Sequence, residues 1–265
     1  MQYHSPDSFI SAAVISANVE GSIRFLAGGT DVLVQLRSDA FTPDNLIDIK
    51  NIDGAKNITR TVDGTWNIGA AVAGAEMNEH EQLKSEWPGL VEAIDLIGST
   101  QIQGRATLVG NLCNGSPAAD SVPALITADA SAVVQSPTGE RIIKVANIPH
   151  SPGKTNLRKG DVVKTIIVPT QKKRSSDAYL RFIPRTEMDI AVVGCAIWLS
   201  LDDDSAIVES RVSLAAVAPT VLKVDTATDI LIGTKLDCDT LEKLAVATSI
   251  ACDPIPDRRG TIEYR

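Results

Sequence analysis

Residues 24–36 read RFLAGGTDVLVQL and place two glycines between two apolar segments. Residues 24–27 have the apolar character of a buried strand, and residues 32–36 continue the apolar pattern as a helix. Consecutive glycines let the backbone turn sharply and approach a ligand closely. Successive free N–H groups at the start of a helix also favour an anion such as a pyrophosphate. The stretch therefore predicts a strand, a glycine turn and a helix, with residues 28–31 as a candidate phosphate-binding loop.

The glycine turn alone allows two interpretations. Gly-Gly-Thr-Asp before a helix is also the composition of an ordinary strand-to-helix turn, in which Asp31 caps the helix. The segment matches neither the GxGxxG dinucleotide fingerprint nor the GxxxxGK(S/T) phosphate loop. A ligand-binding interpretation therefore depends on a second segment.

That second segment is residues 101–123, QIQGRATLVGNLCNGSPAADSVP. It combines glycines, short polar residues and an acid, and it leads into an apolar helix at residues 124–130. A long irregular passage inside a compact domain is typical of a functional segment. Its backbone amides and short side chains suit the second wall of a ligand site, although a well-capped loop has the same composition.

Working outward from these two segments, the apolar periodicity and the turn residues predict the remaining elements. Helices are predicted at residues 7–18, 75–84, 88–97, 226–232 and 241–251, and strands at 46–49, 57–62, 66–70, 131–135, 142–145, 162–168, 178–182, 191–201 and 206–218. Strands and helices without a regular alternation favour an α+β fold. We expect one domain at residues 1–172, with subdomains of about 1–55 and 56–172, and a second at 173–265.

Composition excludes several classes of function. The net charge is −8 and the basic residues are scattered, whereas a nucleic-acid binder needs a concentrated positive face. No apolar stretch reaches the roughly 18 residues of a membrane-spanning helix, and no secretory signal begins the chain. We therefore expect a cytoplasmic protein with no nucleic-acid partner and no membrane span.

The other candidate side chains have structural interpretations. Cys113, Cys195, Cys238 and Cys252 are far apart and lack the CxxC spacing of zinc or iron–sulfur ligands, so we expect reduced thiols and no metal site. His4, His80 and His150 are isolated, and we expect them to be exposed. The acidic side chains Glu76, Glu79, Glu81 and Glu86 are interpreted as the solvated face of a helix, and residues 202–204, DDD, as a hairpin turn.

Taken together, the two glycine segments resemble a known family. Residues 27–33, AGGTDVL, resemble the AGGTDLL segment of the FAD subunits of the xanthine dehydrogenase and carbon monoxide dehydrogenase family of molybdenum hydroxylases. Residues 101–123 resemble the family signature QIRNxATIGGNxxxxSPxxDxxP. The segments YLR, Arg185 and DIA within residues 179–191, and DRRGTIEYR at 257–265, resemble its C-terminal domain. The order and spacing match over nearly the whole chain.

The resemblance implies a two-subdomain FAD-binding fold of the PCMH/VAO type, followed by a small α+β C-terminal domain. It implies non-covalent FAD, with the pyrophosphate on residues 27–31, a second wall from residue 107 onward, and Arg181 or Arg185 near the flavin edge. No catalytic residue is implied. The cofactor-binding residues implied are Ala27, Gly28, Gly29, Thr30, Asp31, Val32, Thr107, Gly110, Asn111, Ser116, Asp120 and Arg185.

The sequence departs from the family pattern at three places. Val109 stands where the family has a glycine, so we expect a slightly altered loop there. Gly104 and Arg105 replace the usual asparagine before Ala-Thr, which affects one loop contact. The sequence ends at Arg265, where relatives continue into a further helix, so we expect a shortened C-terminus.

The implied function is electron transfer. The chain would be the FAD-carrying subunit of a molybdenum hydroxylase, with the molybdenum–pterin cofactor in a large partner subunit and [2Fe-2S] clusters in a small one. Electrons would arrive from the clusters and leave to an external acceptor, such as NAD, a quinone or oxygen. Two alternatives stay open: a self-contained FAD-dependent oxidoreductase of the same fold, and a flavin-free structural subunit.

Overall fold

A computed structural model describes residues 1–186 and 188–265. The first structural unit contains a small parallel sheet and two helices. Its elements are β1 (Gln2–His4), α1 (Phe9–Asn18), β2 (Ile23–Leu26), α2 (Val32–Arg37) and β3 (Asn45–Asp48). The strand order β1-β3-β2 leaves β2 at one edge. Strand β1 was not predicted, because its three residues carry no apolar alternation and are defined by pairing with β3, 43 positions along the chain from Gln2 to Asn45.

The second unit is a five-stranded antiparallel sheet with helices inserted after its second strand. The strands are β4 (Ile58–Arg60), β5 (Trp66–Gly69), β6 (Ser131–Ser136), β7 (Gly139–Lys144) and β10 (Val162–Val168), in the order β4-β5-β10-β6-β7. Helix α1 of the first unit packs against β6 and β10 of this sheet. A separate hairpin joins β8 (Pro149–Ser151) to β9 (Lys154–Thr155). The helices are α3 (Gly74–Glu79), α4 (Glu81–Glu86), α5 (Pro88–Asp95), α6 (Thr100–Gln103), α7 (Leu108–Cys113) and α8 (Ser121–Thr127).

The helix predicted at residues 75–84 is in fact two helices, because the backbone leaves the helical region at His80. The His80 ring caps α4 and packs edge-on against Trp66, with ring centroids 5.2 Å apart, so His80 is not the exposed residue we expected. Glu86 was also misassigned to a solvated face. It is largely buried, forms an ion pair with Arg60 at 2.8 Å and accepts a hydrogen bond from Trp66 Nε1 at 3.1 Å.

The segment predicted as a long irregular passage contains the short helix α7. Thr107 begins it, and its Oγ1 accepts a hydrogen bond from Gly110 N–H at 2.9 Å. The glycine and asparagine inside α7 hid this helix from the periodicity. Val109 lies buried within the helix and has no positive φ angle, so the position does not need the conformational freedom of a glycine.

The C-terminal unit is a four-stranded antiparallel sheet covered on one face by two helices. Its elements are β11 (Ser175–Phe182), β12 (Val193–Leu201), β13 (Ile207–Ala215), β14 (Leu222–Lys223), α9 (Asp225–Leu231) and α10 (Cys238–Ala251), with the strands in sequential order. Residues 202–206 turn the chain between β12 and β13, which confirms the predicted hairpin turn. The mixture of sheets and helices confirms the α+β fold class.

Two apolar cores hold these units. The larger core extends from Phe9 through both N-terminal sheets to Tyr179 and Trp198 on the inner face of the C-terminal sheet. The smaller core lies between the outer face of that sheet and α9 and α10. Among the residues in the two described ranges, no helix combines the length and the apolar character needed to cross a membrane.

Candidate functional site

A cavity of about 460 Å³ lies between the edge strand β2, the glycine turn after it, and the start of β10. Its volume falls within the range of roughly 300–1,000 Å³ that is usual for small-molecule sites. Nine of the twelve predicted site residues line it: Ala27, Gly28, Gly29, Thr30, Asp31, Val32, Thr107, Gly110 and Asn111. The structure therefore brings the two glycine segments together on one cavity.

The two consecutive glycines are required for different reasons. Gly29 has a φ angle of 82°, in the left-handed region that side chains with a Cβ rarely adopt. A Cβ on Gly28 would lie 1.8 Å from the carbonyl oxygen of Arg105, because the turn packs directly against the segment that leads into α7. The first glycine thus allows close approach of the two segments, and the second allows the turn.

The glycine turn presents unpaired backbone donors. The N–H groups of Gly28, Gly29, Thr30 and Asp31 donate to no acceptor in residues 1–186 or 188–265, although all four residues line the cavity. Consecutive unpaired N–H groups around a concave turn form a site for an anion. Burial raises the pKa of the Asp31 carboxyl, whose side chain does not cap α2.

The second wall is held by side-chain hydrogen bonds. Asn111 Oδ1 accepts from Ser121 N–H at 3.1 Å and from Ser121 Oγ at 2.7 Å, which ties α7 to α8. Cys113, on the same helix, also lines the cavity. Burial raises the pKa of its thiol to about 12, so Cys113 is protonated at neutral pH.

Ser116, Asp120 and Arg185 do not line the cavity. Asp120 is buried at the start of α8, where its carboxylate accepts hydrogen bonds from Tyr179 Oη at 2.8 Å and Arg181 Nη1 at 2.9 Å. Ser116 Oγ accepts from Ala118 N–H at 3.2 Å. Arg185 is 76% exposed and lies 3.8 Å from Asp189. The assignment of these three residues to the cofactor stays a prediction.

The contact between Asp120 and β11 joins the C-terminal unit to the central one. Burial raises the pKa of the Asp120 carboxyl, and the positive charge of Arg181 opposes that shift. Burial and the nearby Asp120 raise the pKa of the Tyr179 hydroxyl. A Cβ on Gly194 would lie 2.6 Å from Tyr179 Oη, so this glycine makes room for the hydroxyl that reaches Asp120.

Part of the cavity wall was missed by sequence reasoning. Arg24 and Phe25 on β2, and Arg158, Lys159 and Asp161 before β10, also line it. Residues 159–161, KGD, have the composition of an ordinary turn and so predict no role in binding. A signal was present, because an acid immediately before an apolar strand is usually either exposed or bound by a cation.

Comparisons with known proteins assign this architecture. Residues 1–171 match the FAD binding domain in molybdopterin dehydrogenase, and residues 178–265 match the CO dehydrogenase flavoprotein C-terminal domain. The xanthine dehydrogenase FAD-binding subunit of Escherichia coli O157:H7 is 31% identical over 99% of this chain and 90% of its own length. The carbon monoxide dehydrogenase medium chain of Hydrogenophaga pseudoflava is 27% identical over 100% of this chain and 91% of its own length.

A solved structure agrees with the sequence matches. Carbon monoxide dehydrogenase from Hydrogenophaga pseudoflava, in a form that lacks the Mo-pyranopterin moiety, superposes with a TM-score of 0.94 and 27% identity, covering 99% of this chain and 91% of that one. The fold and the cavity therefore define an FAD-binding subunit of an oxidoreductase. The chain belongs to the family of FAD-binding subunits of molybdenum hydroxylases, and the predicted resemblance and cofactor are confirmed.

The residues of this chain fit the cofactor of that family. FAD carries a diphosphate, and the glycine turn offers four N–H groups that have no acceptor among the described residues, at a place where the missing side chain of Gly28 keeps the backbone close to the second wall. Within the described ranges, no group of three or more His, Cys, Asp or Glu side chains could hold a metal ion.

Proposed function

We propose that this chain is the electron-transfer subunit of a molybdenum hydroxylase and that it binds its FAD non-covalently. In this proposal it takes electrons from [2Fe-2S] clusters in a small partner subunit and passes them to an external acceptor, NAD or a quinone. A large partner subunit carries the molybdenum cofactor and oxidises the organic substrate. The observation that supports the proposal most directly is the glycine turn with its four unpaired N–H groups on the wall of the cavity.

Within this proposal, the chain's own residues bind and orient the cofactor. The backbone of residues 27–31 donates to the diphosphate, with Thr30 adding its hydroxyl and Val32 packing beside it. Thr107, Gly110 and Asn111 form the opposite wall, while Ser116, Asp120 and Arg185 act at the flavin end, beside the C-terminal domain. When bound, the flavin supplies the exchange between single electrons and electron pairs.

We also propose the division of labour along the chain. Residues 1–172 hold the cofactor in two subdomains, about 1–55 and 56–172, and residues 173–265 close the site. The sheets fall within these limits, because β3 ends at Asp48, β10 ends at Val168 and β11 begins at Ser175. We place the protein in the reducing cytoplasm, a proposal supported by its four cysteines, which form no disulfide.

The partner proposal draws on the relatives. The Escherichia coli relative is named an FAD-binding subunit and the Hydrogenophaga relative a medium chain, and both names describe parts of larger enzymes. This chain covers about nine-tenths of each, so the comparison extends over both of its domains. The identity of the substrate depends on the large subunit and is not encoded in this chain.

The test begins with the purified chain. Its visible spectrum is recorded before and after heat denaturation, and the released chromophore is identified by chromatography. FAD free in solution is expected. The chain is then co-expressed with candidate molybdenum and iron–sulfur subunits, and reduction of its flavin is followed by stopped-flow absorbance after substrate is added to the complex.

Each outcome distinguishes one function from the others. Flavin reduction that requires the iron–sulfur subunit supports the proposal. A chain that binds FAD and oxidises a substrate without partners is a self-contained oxidoreductase. A chain that takes up no FAD, alone or in the complex, is a structural subunit.

A further inference from the structure

The charged side chains on the cavity wall differ in whether they have partners within the protein. The ionisable residues that line the cavity are Arg24, Asp31, Cys113, Arg158, Lys159 and Asp161. Lys159 Nζ donates to the carbonyl oxygen of Val19 at 2.7 Å, which ties the loop before β10 to the end of α1. The Arg24 guanidinium stacks on the Phe41 ring at 4.2 Å from its centroid. These two cations therefore already have protein partners.

Asp161 is committed as well. Its carboxylate accepts both terminal nitrogens of Arg141, with Nη1 at 2.8 Å from Oδ1, and it accepts Arg158 N–H at 2.7 Å. Burial alone would raise the pKa of Asp161, but these hydrogen bonds and the charges of Arg141 and Arg158 outweigh it and hold the pKa below its usual range. The ionised carboxylate thus fixes the turn in which Arg158 lies.

Arg158 combines a fixed backbone with a guanidinium whose charge favours the ionised form of Asp161. Its N–H donates to Asp161, and its carbonyl oxygen accepts Asp161 N–H at 2.9 Å, so the turn is closed from both ends. Gly160, with a φ angle of 93°, completes this turn. Across the two described ranges, the Arg158 guanidinium makes no hydrogen bond and no ion pair, and the residue is exposed at the cavity.

A diphosphate bound at the glycine turn would be stabilised by such a cation. The glycine turn offers N–H groups to a diphosphate, but it also carries Asp31, whose ionised form would repel the same anion. A guanidinium presents planar donors that match phosphate oxygens. Backbone amides carry only partial positive charges, so a full positive charge nearby strengthens the binding of a phosphate.

We propose that Arg158, which lines the same cavity as the glycine turn, binds the diphosphate of FAD. The inference rests on the FAD assignment, and it goes beyond that assignment by naming a contact outside both glycine segments. Arg158 is a binding residue in this proposal and takes no part in electron transfer. Its contribution is electrostatic, so it acts on ligands that carry the diphosphate and not on the flavin ring alone.

The test compares ligands that do and do not contain the diphosphate. The full-length chain is freed of flavin, and the Kd for FAD is measured by quenching of flavin fluorescence in the wild type, Arg158→Gln and Arg158→Lys. ADP and riboflavin are measured as competitors. Lys154→Gln is the matched control, because Lys154 is an exposed cation on the neighbouring strand β9 and does not line the cavity.

Losing a charge-assisted contact should weaken FAD and ADP binding by about tenfold to hundredfold in Arg158→Gln, with riboflavin changed by less than about twofold. Arg158→Lys should recover part of the loss. The dependence of the FAD Kd on NaCl concentration should also become shallower in Arg158→Gln, because one screened charge is removed.

Three results would overturn the inference. The first is an Arg158→Gln chain that binds FAD as tightly as the wild type. The second is an equal loss for riboflavin and FAD, which would place Arg158 against the flavin ring. The third is an equal loss of FAD affinity in Lys154→Gln, which would show that any surface cation has the same effect. A wild-type chain that binds no FAD would instead overturn the cofactor assignment, and this inference with it.

Discussion

Single residues determine how closely the two glycine segments approach. Gly28 sits where a methyl group would collide with the backbone of Arg105, and the collision cannot be relieved by rotating a side chain. The close contact between the two segments therefore requires glycine at position 28, which has a hydrogen atom where other residues have a Cβ. Gly104, one residue before Arg105, is different, because a Cβ there would lie 3.6 Å from its nearest neighbour, the Gln101 carbonyl oxygen.

The first prediction follows from this difference. Gly28→Ala should push the two segments apart, weaken FAD binding by at least about tenfold, and lower the free energy of unfolding by about 1–3 kcal/mol, as overpacking usually does. FAD binding is measured by fluorescence titration and stability by urea denaturation. Gly104→Ala is the control and should leave both unchanged. Equal behaviour of the two variants would contradict the steric argument.

A second residue-scale feature is the buried carboxyl of Asp177. Its Oδ2 accepts Leu90 N–H at 2.7 Å, but its Oδ1 has no partner among the described residues. Burial raises the pKa of Asp177 from 3.8 to about 6, despite the backbone hydrogen bonds that favour the charged form. The folded state therefore binds a proton more tightly than the unfolded state, and Asp177 contributes stability below pH 3.8 that is lost as the pH rises through 6.

The second prediction uses a neutral replacement. Asp177→Asn keeps an acceptor for Leu90 N–H and removes the charge, so it should be more stable than the wild type by about 1–2 kcal/mol at pH 7.5. At pH 4.0 the two proteins should differ little, because the wild-type carboxyl is then mostly protonated in the folded state. Urea denaturation at both pH values measures the difference. A constant difference at the two pH values would show that Asp177 does not titrate as proposed.

At the scale of elements, strand β11 joins the C-terminal sheet to the rest of the molecule. Asp177, Tyr179 and Arg181 alternate along it and face inward, whereas Leu180 and Phe182 face outward and are exposed. The inward residues meet the first turns of two helices: Asp177 contacts α5, and the other two contact Asp120 at the start of α8. Polar side chains at strand period thus add to the apolar contact that Tyr179 and Trp198 make with the larger core.

The third prediction concerns the ion pair in this contact. Arg181→Met would leave the Asp120 carboxylate buried without its cation and should lower the free energy of unfolding by about 3–5 kcal/mol. The double variant Asp120→Asn, Arg181→Met removes both charges and should recover more than half of that loss. Thermal and urea unfolding measure the three proteins.

A control for this ion pair lies on the surface. Lys172 pairs with Glu209, and both side chains are about half exposed. Lys172→Met should therefore cost less than about 1 kcal/mol. If Arg181→Met were as mild as Lys172→Met, the buried pair would not hold the domains together.

At the scale of the whole molecule, the cavity belongs to the larger core and the smaller core stands apart from it. The lining residues come from positions 16–163, whereas the smaller core is formed by residues after 192. A ligand in the cavity therefore acts directly on the first two sheets. Its effect reaches α9 and α10 through the C-terminal sheet, which contacts α5 at β11 and α8 at β11, β12, β13 and β14.

The fourth prediction measures that separation. FAD at a hundredfold excess over its Kd should raise the free energy of unfolding of the unit it binds by about 2.7 kcal/mol. In hydrogen–deuterium exchange, protection should increase most in peptides covering residues 27–33 and 107–113 and least in α10. Riboflavin, tested in parallel at the same occupancy, shows which protection belongs to the diphosphate half. Greatest protection in α10 would contradict the location of the site.

The local features of this protein could be predicted from its amino-acid sequence. The turn at residues 28–31 was predicted correctly, because the conformation of a glycine pair and the periodicity of the flanking strand and helix are local properties. The α+β class and the family followed from elements and motifs that are written along the chain. The breaks at His80 and inside residues 106–120 were not predicted, because local side-chain caps at His80 and Thr107 compete there with the apolar periodicity.

The distribution of the site residues in space depends on tertiary contacts and could not be predicted from the sequence. Ser116 and Asp120 continue the second motif in sequence, yet they lie outside the cavity, beyond α7 and the turn after it. Asp120 instead contacts β11, which follows some 60 residues later in the chain. Arg158 stands in an unremarkable turn in sequence, yet it reaches the cavity because β10 pairs between β5 and β6. Which side chains share a wall depends on such long-range pairing, and sequence patterns with a period of two or 3.6 residues carry no information about it.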